Sequence, residues 1–268
     1  LHMGVLGVAI PSLISRAVMA LILCICLKNP AHTLSIPRLS FRPEMEQIRK
    51  ILYIGIPGGI ENALFQGGRV LVVSIISLFG TTQIAANGIA NNLDTMGCMV
   101  GQAMNLAMVA VIGRCAGALD HTQIRYYTKK LMIFTYLATA VVNITILTNL
   151  PFLLSLYGLS KETTDLAFRL VMIHNGCAMI LWPVSFVLPN MLRACNDVKF
   201  PMGIAIFSMA AFRIGFSYIL GIRLGMGALG VWYAMILDWI FRSLCFVGRY
   251  FRGNWKTTIY RLSGSPGA

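Results

Sequence analysis

Seven apolar stretches, each long enough to cross a bilayer as a helix, constrain this chain more than any other feature. Hydrocarbon ~30 Å thick takes about 20 helical residues to span. The stretches fall at residues 5–27, 51–79, 84–112, 131–150, 166–190, 200–221 and 226–248. The second and third exceed that length and are expected to tilt or to start in the interface. Charged residues make up only 12% of the chain, about half the share of a soluble domain. The reading is an all-α integral membrane fold with seven transmembrane helices in a lipid bilayer.

The formal net charge is +13. A nucleic-acid partner would need a basic stripe on a folded soluble surface, and none is visible. The charge collects between the spans instead. Lys28, Arg38, Arg42, Arg49 and Lys50 lie in the first connection. Arg114, Arg125, Lys129 and Lys130 follow span three, Arg193 and Lys199 follow span five, and Arg249, Arg252, Lys256 and Arg261 follow span seven. The other side carries only Lys161, Arg169 and Arg223. Basic residues mark the cytoplasmic side. The expectation is a multi-pass protein of the plasma (inner) membrane with a cytoplasmic linker and C-terminus. The linker KNPAHTLSIPRLSFRPEMEQIRK, residues 28–50, is the natural domain boundary, and residues 251–268 form a tail.

One phrase occurs twice. LHMGVLGVA at Leu1 returns as LGMGALGVW at Leu224, with six residues matching at one offset. The two copies open spans six apart, which cross in the same direction. That predicts a parallel repeat about an axis along the membrane normal, an arrangement transporters use to build a site between two halves. Residues 1–27 then read as the last helix of a first bundle whose other helices are missing, and 51–250 as a complete second six-helix bundle. A shared small-residue packing motif at helix entry is the plainer reading of the same phrase.

Ionisable groups within a span are costly and mark cavities or partners. Span two reads IGIPGGIENALFQGGRV. Pro57, Gly58 and Gly59 predict a kink, followed by Glu61, Asn62, Gln66 and Arg69. A desolvated Glu61 is the candidate cation-coupling carboxylate, with Na+ or H+ as the ion and no other metal site; a structural pair with Arg69 or another basic group is its alternative. Span three carries Asn87, Asn91, Asp94, Cys98, Gln102 and Asn105 within about 80° of one another around a helix. They are candidates to line a wet cavity, together with Asn62, Gln66 and Arg69, or to hydrogen-bond between helices. His174, placed near the outer end of span five, and Arg213 are secondary ionisable candidates. Asp238 and Arg242, four apart, predict a structural ion pair.

The seven cysteines show no metal-ligand or CxxC spacing and read as small buried hydrophobes. Glycines in GMGALG open a membrane helix without a preceding strand, which excludes a dinucleotide loop. No hydrolase or metalloprotease motif is present. The chain is not read as an enzyme, and no cofactor is implied.

The runs IGIPGGIEN, FGTTQIAANGIANN, LPNMLRACNDVKFPM and LGMGALGVWYAMILDWIFR, in this order, resemble the multidrug and toxic compound extrusion (MATE) family. The resemblance covers nearly the whole chain and a little over half of a family member. It implies a twelve-helix, two-bundle transporter working by alternating access. Such a transporter would export small organic, often cationic compounds by antiport against Na+ or H+. In one branch carboxylates of the seventh helix carry coupling, and Glu61 occupies that helix. That branch also uses an acid in the tenth helix, where this chain has only Asp165 at the edge. A first-helix aspartate used by another branch is absent. Two alternatives stand beside antiport: a flippase for lipid-linked sugars of the same superfamily, hinted at by Arg69 and Arg213, and an inactive truncated product. An intramembrane lipid enzyme lacks a clustered catalytic set.

Overall fold

A computed structural model describes residues 6–28 and 43–260. The first five residues of the first copy of the repeated phrase and most of the linker lie outside the described residues, as does the end of the tail. The chain divides into two compact units, Leu1–Ile51 and Leu52–Ala268. The first holds α1 (Leu6–Lys28), whose 23 residues reach about 35 Å, enough to span a bilayer.

The second unit is built from α2 (Met45–Ser77, which begins in the first unit), α3 (Thr81–Gly117) and α4 (His121–Thr148), then a short α5 (Leu150–Ser155). Three further long helices follow, α6 (Lys161–Ala194), α7 (Lys199–Arg223) and α8 (Gly227–Arg252), and a short α9 (Trp255–Tyr260) packs the end. Among the described residues six helices are long and apolar enough to cross a membrane. The seventh expected span, α2, is a 33-residue helix. Glu61, Asn62, Gln66 and Arg69 dilute its apolar run, and it is not among the six.

Apolar content marks the membrane stretch of a helix, not its ends, and the helices outrun their predicted spans. α4 starts at His121 rather than near 131, because Asp120 caps it, its carboxylate accepting from Thr122 N at 3.0 Å and Gln123 N at 2.9 Å. This side-chain cap satisfies amides that have no intrahelical partner. The polar stretch with Arg125, Lys129 and Lys130 is therefore helical, not loop. Likewise the predicted linker ends in helix from Met45, and the predicted tail folds back through α9, burying Trp255 and Ile259.

α2 runs through Pro57 as one continuous helix. The ladder widens elsewhere. Pro183 lacks the N–H that a helix interior needs, and the helix answers with a π-helical turn over Pro183–Val187, in which Leu188 N–H donates to Pro183 C=O. Two more wide segments, Met209–Phe216 and Tyr218–Arg223, occupy most of α7. Arg213 sits in the first of them. Insertions of this kind gather at functional sites.

The second copy of the repeated phrase has local structural duties. Gly227 adopts φ +59°, and a Cβ there would lie 2.4 Å from Gln83 Oε1. That same oxygen accepts the Ala228 N–H at 2.6 Å. Glycine is required where a left-handed backbone meets a close neighbour.

The buried core separates into two apolar clusters. One gathers Met108, Ile112, Trp182, Met191, Trp239, Phe246 and Trp255. The other gathers Ile76, Ala90, Leu93, Leu154, Val171 and Trp232. Asp94 and Gly97 of α3, Thr139 and Asn143 of α4, and His174 and Asn175 of α6 fall between them in sequence on each helix. They form a polar layer, with Thr139, Asn143, His174 and Asn175 fully buried. Asn143 Nδ2 ties α4 to α3 by donating to Gly97 O at 3.2 Å.

Candidate functional site

A cavity of about 470 Å³ opens within the second unit, a size typical of small-molecule sites. α2 contributes Glu61, Asn62, Phe65 and Arg69 to its wall. α3 contributes Asn91, Asp94, Cys98, Gln102 and Asn105, which share one helix face as their spacing predicts. α6 brings Trp182, Phe186 and Arg193, α7 brings Arg213, and α8 brings Trp239 and Arg242.

Glu61 is paired, but not with Arg69. Its Oε1 accepts a hydrogen bond from Arg193 Nη2 at 2.5 Å. Arg193, expected in a loop, belongs to the last turns of α6, and its long side chain returns into the cavity, as long cationic side chains do at membrane helix ends. The pair continues as a chain of hydrogen bonds. Arg193 Nη1 donates to Asn190 Oδ1 at 2.7 Å, Asn190 Nδ2 to Asn105 Oδ1 at 2.9 Å, and Asn105 Nδ2 to Gln102 Oε1 at 3.2 Å. The relay links α2, α6 and α3. Sequence reading missed Asn190 and Arg193, although their i, i+3 spacing at a span end was a usable signal.

Two expected wall residues are placed elsewhere. Gln66 is exposed and lies off the cavity. Asn87 is buried, and its Oδ1 accepts from Trp232 Nε1 at 2.9 Å. A buried indole N–H needs an acceptor, so Asn87 joins α3 to α8 instead of facing water.

His174 is not near the outer end of its helix. It lies between three and four turns into α6 from Lys161, about 20 Å along the axis. It is fully buried, and its ring centroid lies 4.5 Å from those of both Trp232 and Trp239. Its Nδ1 is 3.2 Å from Asp94 Oδ1, yet neither ring nitrogen has hydrogen-bond geometry with a partner. Cys98 Sγ donates to the same Asp94 oxygen at 3.4 Å.

The third charged group is the Asp238 cluster. Arg242 Nε donates to Asp238 Oδ1 at 2.9 Å, and Arg242 Nη2 to Ala205 O at 3.2 Å. Arg213 Nη1 stands 3.9 Å from Asp238 Oδ2, too far for a hydrogen bond. Its guanidinium lies over the Phe65 ring at 5.0 Å. All three charged side chains are almost wholly buried. Among the described residues no group of three or more His, Cys, Asp or Glu side chains could hold a metal ion.

A family model described as MatE matches residues 57–219. The "Uncharacterized transporter YisQ" of Bacillus subtilis (strain 168) is 27% identical over 98% of this chain and 56% of its own length. The "Probable multidrug resistance protein NorM" of Thermotoga maritima is 24% identical over 95% of this chain and 54% of its own. The human "Multidrug and toxin extrusion protein 1" is 20% identical over 96% and 45%. The chain thus spans about half the length of the curated relatives it matches. A solved structure described as the "Outward-facing conformation of a multidrug resistance MATE family transporter of the MOP superfamily" shares the fold. It superposes with a TM-score of 0.80 at 18% identity, over 98% of this chain and 58% of that one.

Proposed function

We propose, because this chain belongs to the MatE family, that it forms one lobe of a secondary transporter. This lobe moves small organic compounds across the membrane by antiport against Na+ or H+. The single observation that carries the reading is the Glu61–Arg193 pair on the cavity wall. An incoming proton or sodium ion competes with the Arg193 guanidinium for the same carboxylate oxygen. When the ion takes Glu61, Arg193 is released toward the cavity, and the Asn190–Asn105–Gln102 relay loses its anchor. Ion occupancy and cavity wiring are then mutually exclusive states, which alternating access needs: a ligand shifts an equilibrium only through its differential affinity for the two states.

Asn62, Asn91, Asp94, Gln102 and Asn105 give the cavity polar contacts, and Phe65, Trp182 and Phe186 give it flat apolar ones. A second six-helix bundle completes the path. The domain plan is α1 as the last helix of that bundle, a cytoplasmic linker over 28–50, and the lobe from 51 to 250. A flippase for lipid-linked sugars is the second reading, favoured by the four arginines on the wall.

The test is dye efflux from proteoliposomes under an imposed sodium or proton gradient. Wild type is expected to respond to one of the two gradients, and Glu61→Gln to lose that response with unchanged protein yield. Gradient-driven efflux that survives in Glu61→Gln would overturn the coupling role.

A further inference from the structure

The four arginines of the cavity are not equivalent. Arg193 is held by Glu61 and Asn190, and Arg242 by Asp238 and Ala205 O. Arg213 makes no side-chain hydrogen bond among the described residues: its nearest carboxylate is 3.9 Å away, and its buried Nε has no acceptor. Arg69 likewise has no ion pair or hydrogen bond among the described residues. It lies one turn beyond Phe65 on α2, and Arg213 covers the Phe65 ring. Two guanidinium groups without a hydrogen-bonded partner therefore lie on the wall of one cavity: Arg69 is exposed, and Arg213, only 6% exposed, has just the 3.9 Å ion pair with Asp238.

A buried charge that leaves a donor such as Arg213 Nε unsatisfied is costly, and a guanidinium is shaped to take a carboxylate or phosphate through two parallel hydrogen bonds. The adjoining wall is flat and apolar. Phe65 meets Phe186 edge-on at 6.3 Å, and Phe186 stacks on Trp182 at 5.2 Å. Cationic ligands would find Asp94 here, but only alongside this excess of guanidinium charge.

We infer that Arg69 and Arg213 form an acid-binding subsite, and that the ligand of this lobe is a flat organic molecule bearing a carboxylate, sulfonate or phosphate. The inference rests on the transport reading, since it takes the cavity as the substrate path. It departs from the cationic compounds that the family resemblance implies. The same acid chemistry could come from a lipid head group.

The experiment uses the full chain in phosphatidylcholine nanodiscs and two dyes with one xanthene skeleton, anionic fluorescein and cationic rhodamine 123, whose carboxyl is blocked as a methyl ester, read by fluorescence anisotropy. Fluorescein is expected to bind more tightly, by about ten- to hundredfold, the effect of one or two charge-assisted hydrogen bonds. Arg69→Gln, which breaks no pair, weakens fluorescein about tenfold and does not weaken rhodamine 123. Arg213→Gln does the same, and Arg213→Lys restores part of the loss.

Tighter rhodamine 123 binding, or no effect of Arg69→Gln on fluorescein, overturns the acid subsite and leaves antiport standing. Binding of neither dye overturns both. Fluorescein binding without transport in proteoliposomes removes the transport reading alone. Displacement of fluorescein when phosphatidylglycerol replaces phosphatidylcholine supports the subsite and names the lipid head group as its source.

Discussion

Adding one methyl group at Gly101 gives the sharpest test of how the cavity wall is packed. A Cβ there would lie 2.0 Å from Trp182 Cζ3, 2.6 Å from Cη2 and 2.8 Å from Cε3. Ordinary carbon contacts need about 3.5–4.0 Å, so the indole must retreat by roughly 1.5 Å. It has little room: Trp182 is 4% exposed and stacked on Phe186, which in turn stands edge-on to Trp239 at 5.9 Å. Overpacking of this kind costs about 1–3 kcal/mol. Gly113, on the same helix, has nothing within 4 Å of its own Cβ position, so Gly113→Ala gains only helix propensity, up to ~1 kcal/mol. The difference between the two variants isolates the clash. Thermal denaturation in detergent, followed by size-exclusion chromatography, should show Gly101→Ala below wild type and Gly113→Ala at or above it. Because all three clashing atoms belong to the benzo ring, Gly101→Ala should cost less in a Trp182→Phe background, a coupling of about 1 kcal/mol or more. Equal melting of the two alanine variants, or the same cost in both backgrounds, would refute the packing argument.

Three further outcomes follow from named contacts. Asp238→Asn strands the buried Arg242 and Arg213 and should cost about 3–5 kcal/mol, read as lost yield and thermal stability; replacing Asp238, Arg213 and Arg242 together by leucine and methionine should cost less. Asn87→Ala leaves the buried Trp232 N–H without an acceptor and should cost about 1–3 kcal/mol in the same melting assay, without changing dye affinity. Burial pushes the Cys195 thiol up to about 12, with Asp197 and Cys115 adding to the shift. The thiolate, which is the reactive form, is therefore scarce at every pH well below that value. Iodoacetamide at mildly alkaline pH should reach the exposed Cys24 and Cys26 but spare Cys195 until the protein is unfolded; rapid labelling of Cys195 itself in the native chain, read by peptide mass, would contradict the burial.

Much of this fold was legible because lipid leaves so few options. Apolar runs located each of the long helices, and the polar register of α3 brought Asn91, Asp94, Cys98, Gln102 and Asn105 to one face. Helix ends were less legible, since Asp120 and the charged turns after it extend α4 without extending the apolar run. The wide turn at Pro183 was not legible either, because a proline announces a missing N–H but not how the helix accommodates it. Charge pairing was the least legible part. Glu61 and Arg193 are 132 residues apart, and counting Arg193 among the cytoplasmic basic residues concealed its inward reach. Asn87 belongs to the same polar stripe as the wall residues, and only the position of Trp232 separates its role from theirs.

The most direct test of the account is the ion dependence of ligand binding at Glu61. Dye affinity, with fluorescein or rhodamine 123, would be measured in nanodiscs across sodium concentration and pH for wild type and Glu61→Gln. The account predicts that wild-type affinity changes by about tenfold or more, within the range of ordinary site-to-site coupling, with one of the two ions, and that the variant is flat to both. The same ion dependence in Glu61→Gln as in wild type would contradict it.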